Sequence, residues 1–364
     1  MLPEGQQGLN IVSIGGGTGL STLLSGLKHY VGKEGFSTRS HRIDGLSAVV
    51  TVTDDGGSSG RLREEFQILP PGDIRNCLVA LAEDEHLLTR LFQYRFESDG
   101  DLSGHSFGNL FLTALAGVTG DFLEAIKATS EVLAIKGRIF PSTTEDITLV
   151  AELEDGRVIE GETKIVEARA PVKQLRLSCE DCQPLAETLE AIKNASIITI
   201  GPGSLYTSIL PNLLVGGIVE AIRDSEALKV YICNVMTQPG ETEGFSVEDH
   251  VRALYEYSPR LELDYVIVNS APITSALREK YLADGAVQVT FGSMNALGDN
   301  PQPGVSIGPE PEAQVRVICG DLLNENDVVR HDPDKLANLL LELYQSETAS
   351  AADAPAWYAS QREC

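Results

Sequence analysis

The feature that most constrains this chain is a short apolar run, residues 10–14, that stops at Gly15-Gly16-Gly17-Thr18-Gly19 and is followed by leucines at 20, 23, 24 and 27. Leucines at that spacing share one helical face, so the pattern predicts strand, glycine loop, helix. The unit recurs. Residues 46–53 (LSAVVTVT) run into Asp54-Asp55-Gly56-Gly57-Ser58-Ser59-Gly60, and 195–200 (ASIITI) into Gly201-Pro202-Gly203-Ser204. Residues 228–233 (LKVYIC) and 263–268 (LDYVIV) likewise end in small or polar loops that begin at Asn234 and Asn269. Strands alternating with helices make a mostly parallel sheet, and in such sheets ligands bind where the carboxyl ends of the strands gather their loops. The expected fold class is therefore α/β.

Two segments break the alternation. Residues 70–135 are helical in pattern and predict a cap over the ligand, while 147–168 read as a β-hairpin turning at Asp155-Gly156. The hairpin is expected to be a sheet edge or an oligomer contact. One domain over 10–343 is expected, with a flexible end at 1–9, a Pro- and Gly-rich surface loop at 298–312 and a loose tail at 344–364.

The glycine loops narrow the chemistry. Leu20 stands where the dinucleotide fingerprint needs its third glycine, and no Gly-Lys-Ser/Thr follows as in a P-loop. What remains is backbone that can approach a phosphate closely, feeding a helix start with free amides and a positive dipole. The chain carries 28 Lys+Arg against 53 Asp+Glu, a net charge of -25. That field opposes nucleic acid and anionic membranes, so the ligand is expected to be a small anion held by local donors. Residues 1–9 hold no basic and apolar leader, and no stretch has the length to span a bilayer. Six scattered cysteines fit a reducing compartment. Cys179 and Cys182 read as two thiols beside a helix start near Ser178 rather than as a metal pair.

Several polar residues are candidates. Asp54 and Asp55 end the second strand, where an acid holds a ribose, two carboxylates hold magnesium, or either caps the turn at Gly56. Neighbours on a strand point opposite ways, so one of the two is expected to face the cleft. Arg61 and Arg63 follow as phosphate partners or as surface ion pairs. Asp73, Arg75 and Asn76 precede one apolar helix; His105, Ser106 and Asn109 precede another. At least one of Asp73 and Ser106 is expected to be a plain helix N-cap, and His105 reads as a phosphate donor, an acid/base or a structural histidine. No nucleophile-histidine-acid spacing is present, so catalytic residues are unassigned beyond Asp54 and Asp55.

In this order, IGGGTGLSTLL, TVTDDGGSSGRLR, PGDIRNCLVAL, HSFGNLFLTAL, IGPGSLYTSILPNLL, ICNVMTQPGETEGF and VVRHDP resemble the bacterial gluconeogenesis factor family. That family is itself similar to the 2-phospho-lactate transferases. The resemblance runs from about residue 10 to about residue 343 and implies a Rossmann-like three-layer α/β/α fold, a cytoplasmic location and a role in cell shape and wall synthesis during gluconeogenic growth. It implies a UDP-sugar as ligand; the transferase branch instead moves a phospholactyl group from a guanosine diphosphate carrier with magnesium. Carried onto this chain, it points to Gly15, Gly16, Gly17, Thr18, Gly19, Gly201, Gly203 and Ser204 for phosphates and to Asp54 or Asp55 for the acidic corner. It places Asn234, Thr237 and Gln238 at the nucleotide, with Tyr281 and Arg330 on the sugar side. The transferases' deazaflavin pocket has no matching segment here. A nicotinamide-dependent oxidoreductase is a third reading, from fold analogy alone. Folds of this kind often form homo-oligomers, but no segment locates that interface or one for a regulatory protein partner.

Overall fold

The computed structural model describes residues 8–32, 42–83, 87–97, 99–292, 315–325 and 328–348. The loop expected at 298–312 and the tail beyond Thr348 lie outside the described residues.

Among the described residues the central sheet has seven strands, β1 (Leu9–Gly15), β2 (Ile43–Val50), β3 (Arg138–Pro141), β7 (Ile197–Ile200), β8 (Leu228–Ile232), β9 (Tyr265–Asn269) and β10 (Arg316–Gly320). Strands β4 (Leu149–Leu153), β5 (Val158–Glu160) and β6 (Val172–Leu177) form a separate small sheet, and β11 (Leu323–Asn324) pairs with β12 (Arg330–His331). The order across the large sheet is β10-β9-β8-β7-β1-β2-β3, and every neighbouring pair is parallel. From β1 the chain moves outward through β2 and β3, then crosses back to lay β7 on the other edge of β1 and continues through β8 to β10. The direction of winding therefore reverses between β1 and β7, which makes the ends of those two strands the switch-point crevice of a doubly wound sheet.

Strand sequences read as continuous apolar runs because both faces are covered. Val12, Ile14, Ile198, Ile200 and Val266 face one core, while Leu9, Ile11, Ile197, Val230 and Ile267 face the other. On the second side lie α1 (Gly17–Leu27), α3 (Pro71–Leu81), α4 (Leu87–Gln93), α5 (Phe107–Thr119), α6 (Phe122–Val132) and α13 (Pro333–Thr348), contributing Leu23, Leu78, Phe92, Leu112, Ile126 and Leu340. The first side is covered by α8 (Ala186–Lys193), α9 (Leu210–Leu213), α10 (Ile218–Asp224) and α11 (Val247–Tyr257). Three layers result. The helices of the expected cap pack onto α1 and the sheet as a layer, with Leu78 and Phe92 buried in the shared core.

Several boundaries differ from the sequence-based expectation. The hairpin at 147–168 gains a third strand, order β5-β4-β6, followed after β5 by α7 (Glu162–Glu167). Its inner face, with Leu149, Ala151, Leu153, Leu175 and Leu177, is buried in the main core, so it is more than an edge hairpin. The loop carrying Cys179 and Cys182 does not begin a helix at Ser178; α8 starts at Ala186. Leu9 belongs to β1, and α13 continues to Thr348, because Leu340 and Leu343 are fully buried and hold the last turns down.

Candidate functional site

After β1 the chain passes through Gly16 into α1, whose first residue, Gly17, has φ 62°. After β7 it turns at Gly201, with φ 80°, through a cis peptide to Pro202 and then Gly203 and Ser204 into a π-type turn, Leu205–Ile209. The two glycine loops pack directly on each other. A Cβ on Gly19 would sit 2.5 Å from the Pro202 carbonyl oxygen and 2.9 Å from the Gly203 nitrogen. Asn212 ties the loops from beneath, donating to the Gly15 carbonyl at 3.0 Å.

The walls come from the loops after β8 and around α12 (Ser275–Ala283). Asn234 donates to Gln238 Oε1 at 3.1 Å, Gln238 donates to Ser204 Oγ, and the Gly203 N–H points at Asn234 Oδ1, 3.4 Å away. Thr237 is buried and braced to Val287, accepting its N–H on Oγ1 at 2.9 Å. Tyr281 is fixed through its hydroxyl, which accepts the Val329 N–H at 2.9 Å. Gly16, Gly17, Thr18, Gly19, Gly203, Ser204, Asn234, Thr237, Gln238, Tyr281 and Arg330 thus line one cleft of about 370 Å³, at the switch point. Gly15 and Gly201 sit just behind it, in the strand end and the turn.

Asp73, Arg75, Asn76, Asp54, His105 and Asn109 do not line that cleft. They form a polar patch behind it, joined to it through Asp73. Asp73 is not a helix cap: Pro70 holds that position of α3, and Asp73 Oδ2 instead accepts the Gly17 N–H at 2.7 Å. One first-turn amide of α1 is therefore already occupied by a carboxylate, leaving Thr18 and Gly19 as first-turn donors without an intrahelical acceptor. Burial, and next the charge of Asp54, push the Asp73 carboxyl up to about 6. Asp54 Oδ1 accepts the Gly56 N–H at 2.9 Å, while its Oδ2 faces the first turn of α3. Asp55 points the other way, accepting the N–H and hydroxyl of Thr163 at 2.9 and 2.7 Å. Neither aspartate lines the cleft, contrary to the expectation that one of them would; Asp54 turns toward α3 and Asp73 behind it, and Asp55 toward α7.

His105 and Asn109 meet at Ser58, 3.0 and 3.1 Å from its Oγ, and Ser106 caps α5 by accepting the Asn109 N–H. Of the two readings of Arg63, phosphate partner or ion pair, the structure shows the ion pair: it is joined to Asp146 and donates to the Ile147 carbonyl, away from the cleft. Three residues at or near the site gave no sequence signal. Glu241 accepts from the Tyr206 N–H and the Thr207 hydroxyl and is raised to about 7 by burial. Glu162, brought in by α7, is raised well above its ordinary value by burial and then by Asp54, Asp73, Glu241 and Asp55. His331 lies in the cleft wall, buried and held neutral, its pKa lowered by burial to about 4.

Residues 11–301 match the family described as 2-phospho-L-lactate transferase CofD. The chain is 46% identical over 336 residues to the gluconeogenesis factor of Bacillus subtilis, covering 92% of this chain and 97% of that protein. It is 45% identical over 335 residues to the gluconeogenesis factor of Halalkalibacterium halodurans, covering 92% of this chain and 96% of that protein. A crystal structure of a UPF0052 family member from Bacillus halodurans superposes with a TM-score of 0.81 at 44% identity, covering 92% of this chain and all of that one.

Proposed function

Because this chain belongs to the CofD family and is similar throughout its length to gluconeogenesis factors, we propose that it binds a UDP-sugar in the switch-point cleft. The binding serves a regulatory role in cell shape and wall synthesis during gluconeogenic growth, in the cytoplasm. The observation that carries the ligand is the gathering of both glycine loops, the Asn234–Gln238–Ser204 amide network, Tyr281 and Arg330 around one cleft. Thr18 and Gly19 offer amides to a diphosphate, and the side-chain amides offer both donors and acceptors to a ribose or sugar. Tyr281, pinned by its hydroxyl, presents a ring, and Arg330 a cation at the outer end.

Thermal unfolding with UDP-N-acetylglucosamine, UDP-glucose, GDP and NAD, each with and without magnesium, tests this. Ligand at a hundred times its Kd stabilises by about 2.7 kcal/mol, or several degrees. A shift with UDP-sugars that ignores magnesium is expected; equal shifts with all four nucleotides overturn the assignment.

The second reading is a magnesium-dependent transferase using a guanosine diphosphate carrier, and Asp54 with Asp73 favours it. Two carboxylates close enough for the charge of one to raise the pKa of the other are the hard oxygen donors that magnesium takes. Among the described residues, no three acidic, histidine or cysteine side chains are placed to hold a metal by themselves, so ligand phosphates would complete the shell. When bound, the ion would neutralise charge on a transferred phosphoryl group. Asp54 and Asp73 would orient it, and Asp73 would hold the Gly17 amide in place. Magnesium-dependent stabilisation by GDP alone is the outcome that selects this reading.

A further inference from the structure

Behind the cleft, at the start of α5, three arginines gather near one short turn. Arg61 donates to the Ser103 carbonyl at 2.6 Å, and Arg95 to the neighbouring Gly104 carbonyl. His105 follows immediately and is buried, its Nδ1 3.0 Å from Ser58 Oγ. The stem of Arg75 lies against Gly108, at the start of the same helix, where a Cβ would meet its Cδ at 2.8 Å. Among the described residues, none of the three guanidiniums has a carboxylate within ion-pair distance. Each bonds a neutral oxygen, Arg75 that of Asn76, and the buried Nε of Arg75 has no hydrogen-bond partner among the described residues.

Glu65 faces His105, and Asp73 and Asp54 face Arg75 from the cleft side. Even so, the cations act on one another. Arg75 is lowered by burial and then by Arg95; His105 is lowered by burial and then by Arg61. Collecting like charges costs free energy unless an anion joins them, and it is unexpected in a chain of net charge -25.

We infer that Arg61, Arg75 and Arg95, with the Ser103–His105 turn, form a second anion site, separate from the nucleotide cleft, for a small dianion such as a phosphate monoester. Guanidinium forks match phosphate and carboxylate oxygens bidentately, and the acidic surroundings exclude a polyanion. None of Arg61, Arg75, Arg95 and the Ser103–His105 turn lines the cleft, so the two ligands occupy different ground.

Calorimetric titration of the full chain with inorganic phosphate, and separately with malonate, tests the assignment and tells a phosphate site from a carboxylate site. Both Arg61 and Arg95 are exposed, so the Arg61→Gln/Arg95→Gln variant should fold as the parent does. It is expected to bind the preferred anion at least about tenfold more weakly, the scale of one lost charged hydrogen bond. Its affinity for UDP-N-acetylglucosamine should be unchanged. In the parent, the preferred anion should also move the His105 ring titration to higher pH, followed by NMR and assigned with His105→Gln. Unchanged anion affinity in the double variant, displacement of the anion mole for mole by UDP-N-acetylglucosamine, or no binding of either anion would overturn the site. If UDP-N-acetylglucosamine does not bind but the anion does, the cleft assignment alone fails.

Discussion

At the scale of single residues, the glycines prove to serve packing as much as ligand approach. Gly19 is needed because the Pro202 carbonyl lies against it, and Gly16 because a Cβ would meet Asp73 Oδ2 at 2.7 Å. Gly19→Ala must push the two loops apart; a loss of about 1–3 kcal/mol is expected in chemical denaturation, with UDP-sugar binding weakened at least about tenfold. Retained affinity would show that the loops move independently. Asp73 has a pH signature. Its pKa rises from 3.8 unfolded to about 6 folded, so between those values the native state binds more protons than the unfolded state. By linkage, its contribution falls as pH rises from about 4 to about 6. Asp73→Asn keeps an acceptor for the Gly17 amide and removes that dependence. Relative to the parent, the variant should gain on the order of 2 kcal/mol between pH 4 and pH 7, and parallel stability profiles would refute the shift. Ala134, exposed between α6 and β3, holds φ 46° without being glycine. Ala134→Gly is expected to stabilise by about 0.5–1 kcal/mol, measured as a higher Tm.

At the scale of elements, strand and helix identity follows from local chemistry more closely than their ends do. The helix α11 starts where Ser246 and Asp249 close a reciprocal capping box, each side chain taking the other's backbone N–H. Ser246→Ala should cost about 1 kcal/mol and leave nucleotide affinity untouched, since the box lies outside the cleft; a drop in affinity would tie α11 to the site. By contrast, α3 has Pro70 in the cap position with no side-chain cap, which frees Asp73 to reach across to α1. No local rule distinguishes that from an ordinary cap, because both place an acid in the first turn of a helix.

At the scale of the whole molecule, the sheet is held between two cores, and α13 closes the one beneath α1. Pro333 packs so tightly on α1 that a Cβ at Gly26 would fall 2.0 Å from its carbonyl oxygen, and Leu336, Leu340 and Leu343 are fully buried. Leu340→Ala is therefore expected to destabilise the whole chain by about 2–5 kcal/mol in urea denaturation. A loss below about 1 kcal/mol would make α13 peripheral. The same long-range packing sets the site, since β1 and β7 are separated by some 180 residues of chain and become neighbours only in the sheet.

The sequence by itself determined the α/β class, the strand–loop–helix units and the polar loops that end the strands, because hydrophobic periodicity and glycine punctuation are local signals. Its glycine loops pointed to Gly16 to Gly19, Gly203 and Ser204, and its resemblance to a known family added Asn234, Thr237, Gln238, Tyr281 and Arg330; the structure gathers all of these in one cleft. Only the tertiary structure decided that Asp54 lies behind the cleft beside Asp73 while Asp55 turns to Thr163, that Asp73 holds the Gly17 amide, and that Arg63 pairs with Asp146. Glu162, Glu241 and His331 became visible there as well. Their pKa values depend on burial and on charges brought from distant parts of the chain, and neither exists until the strands have been ordered.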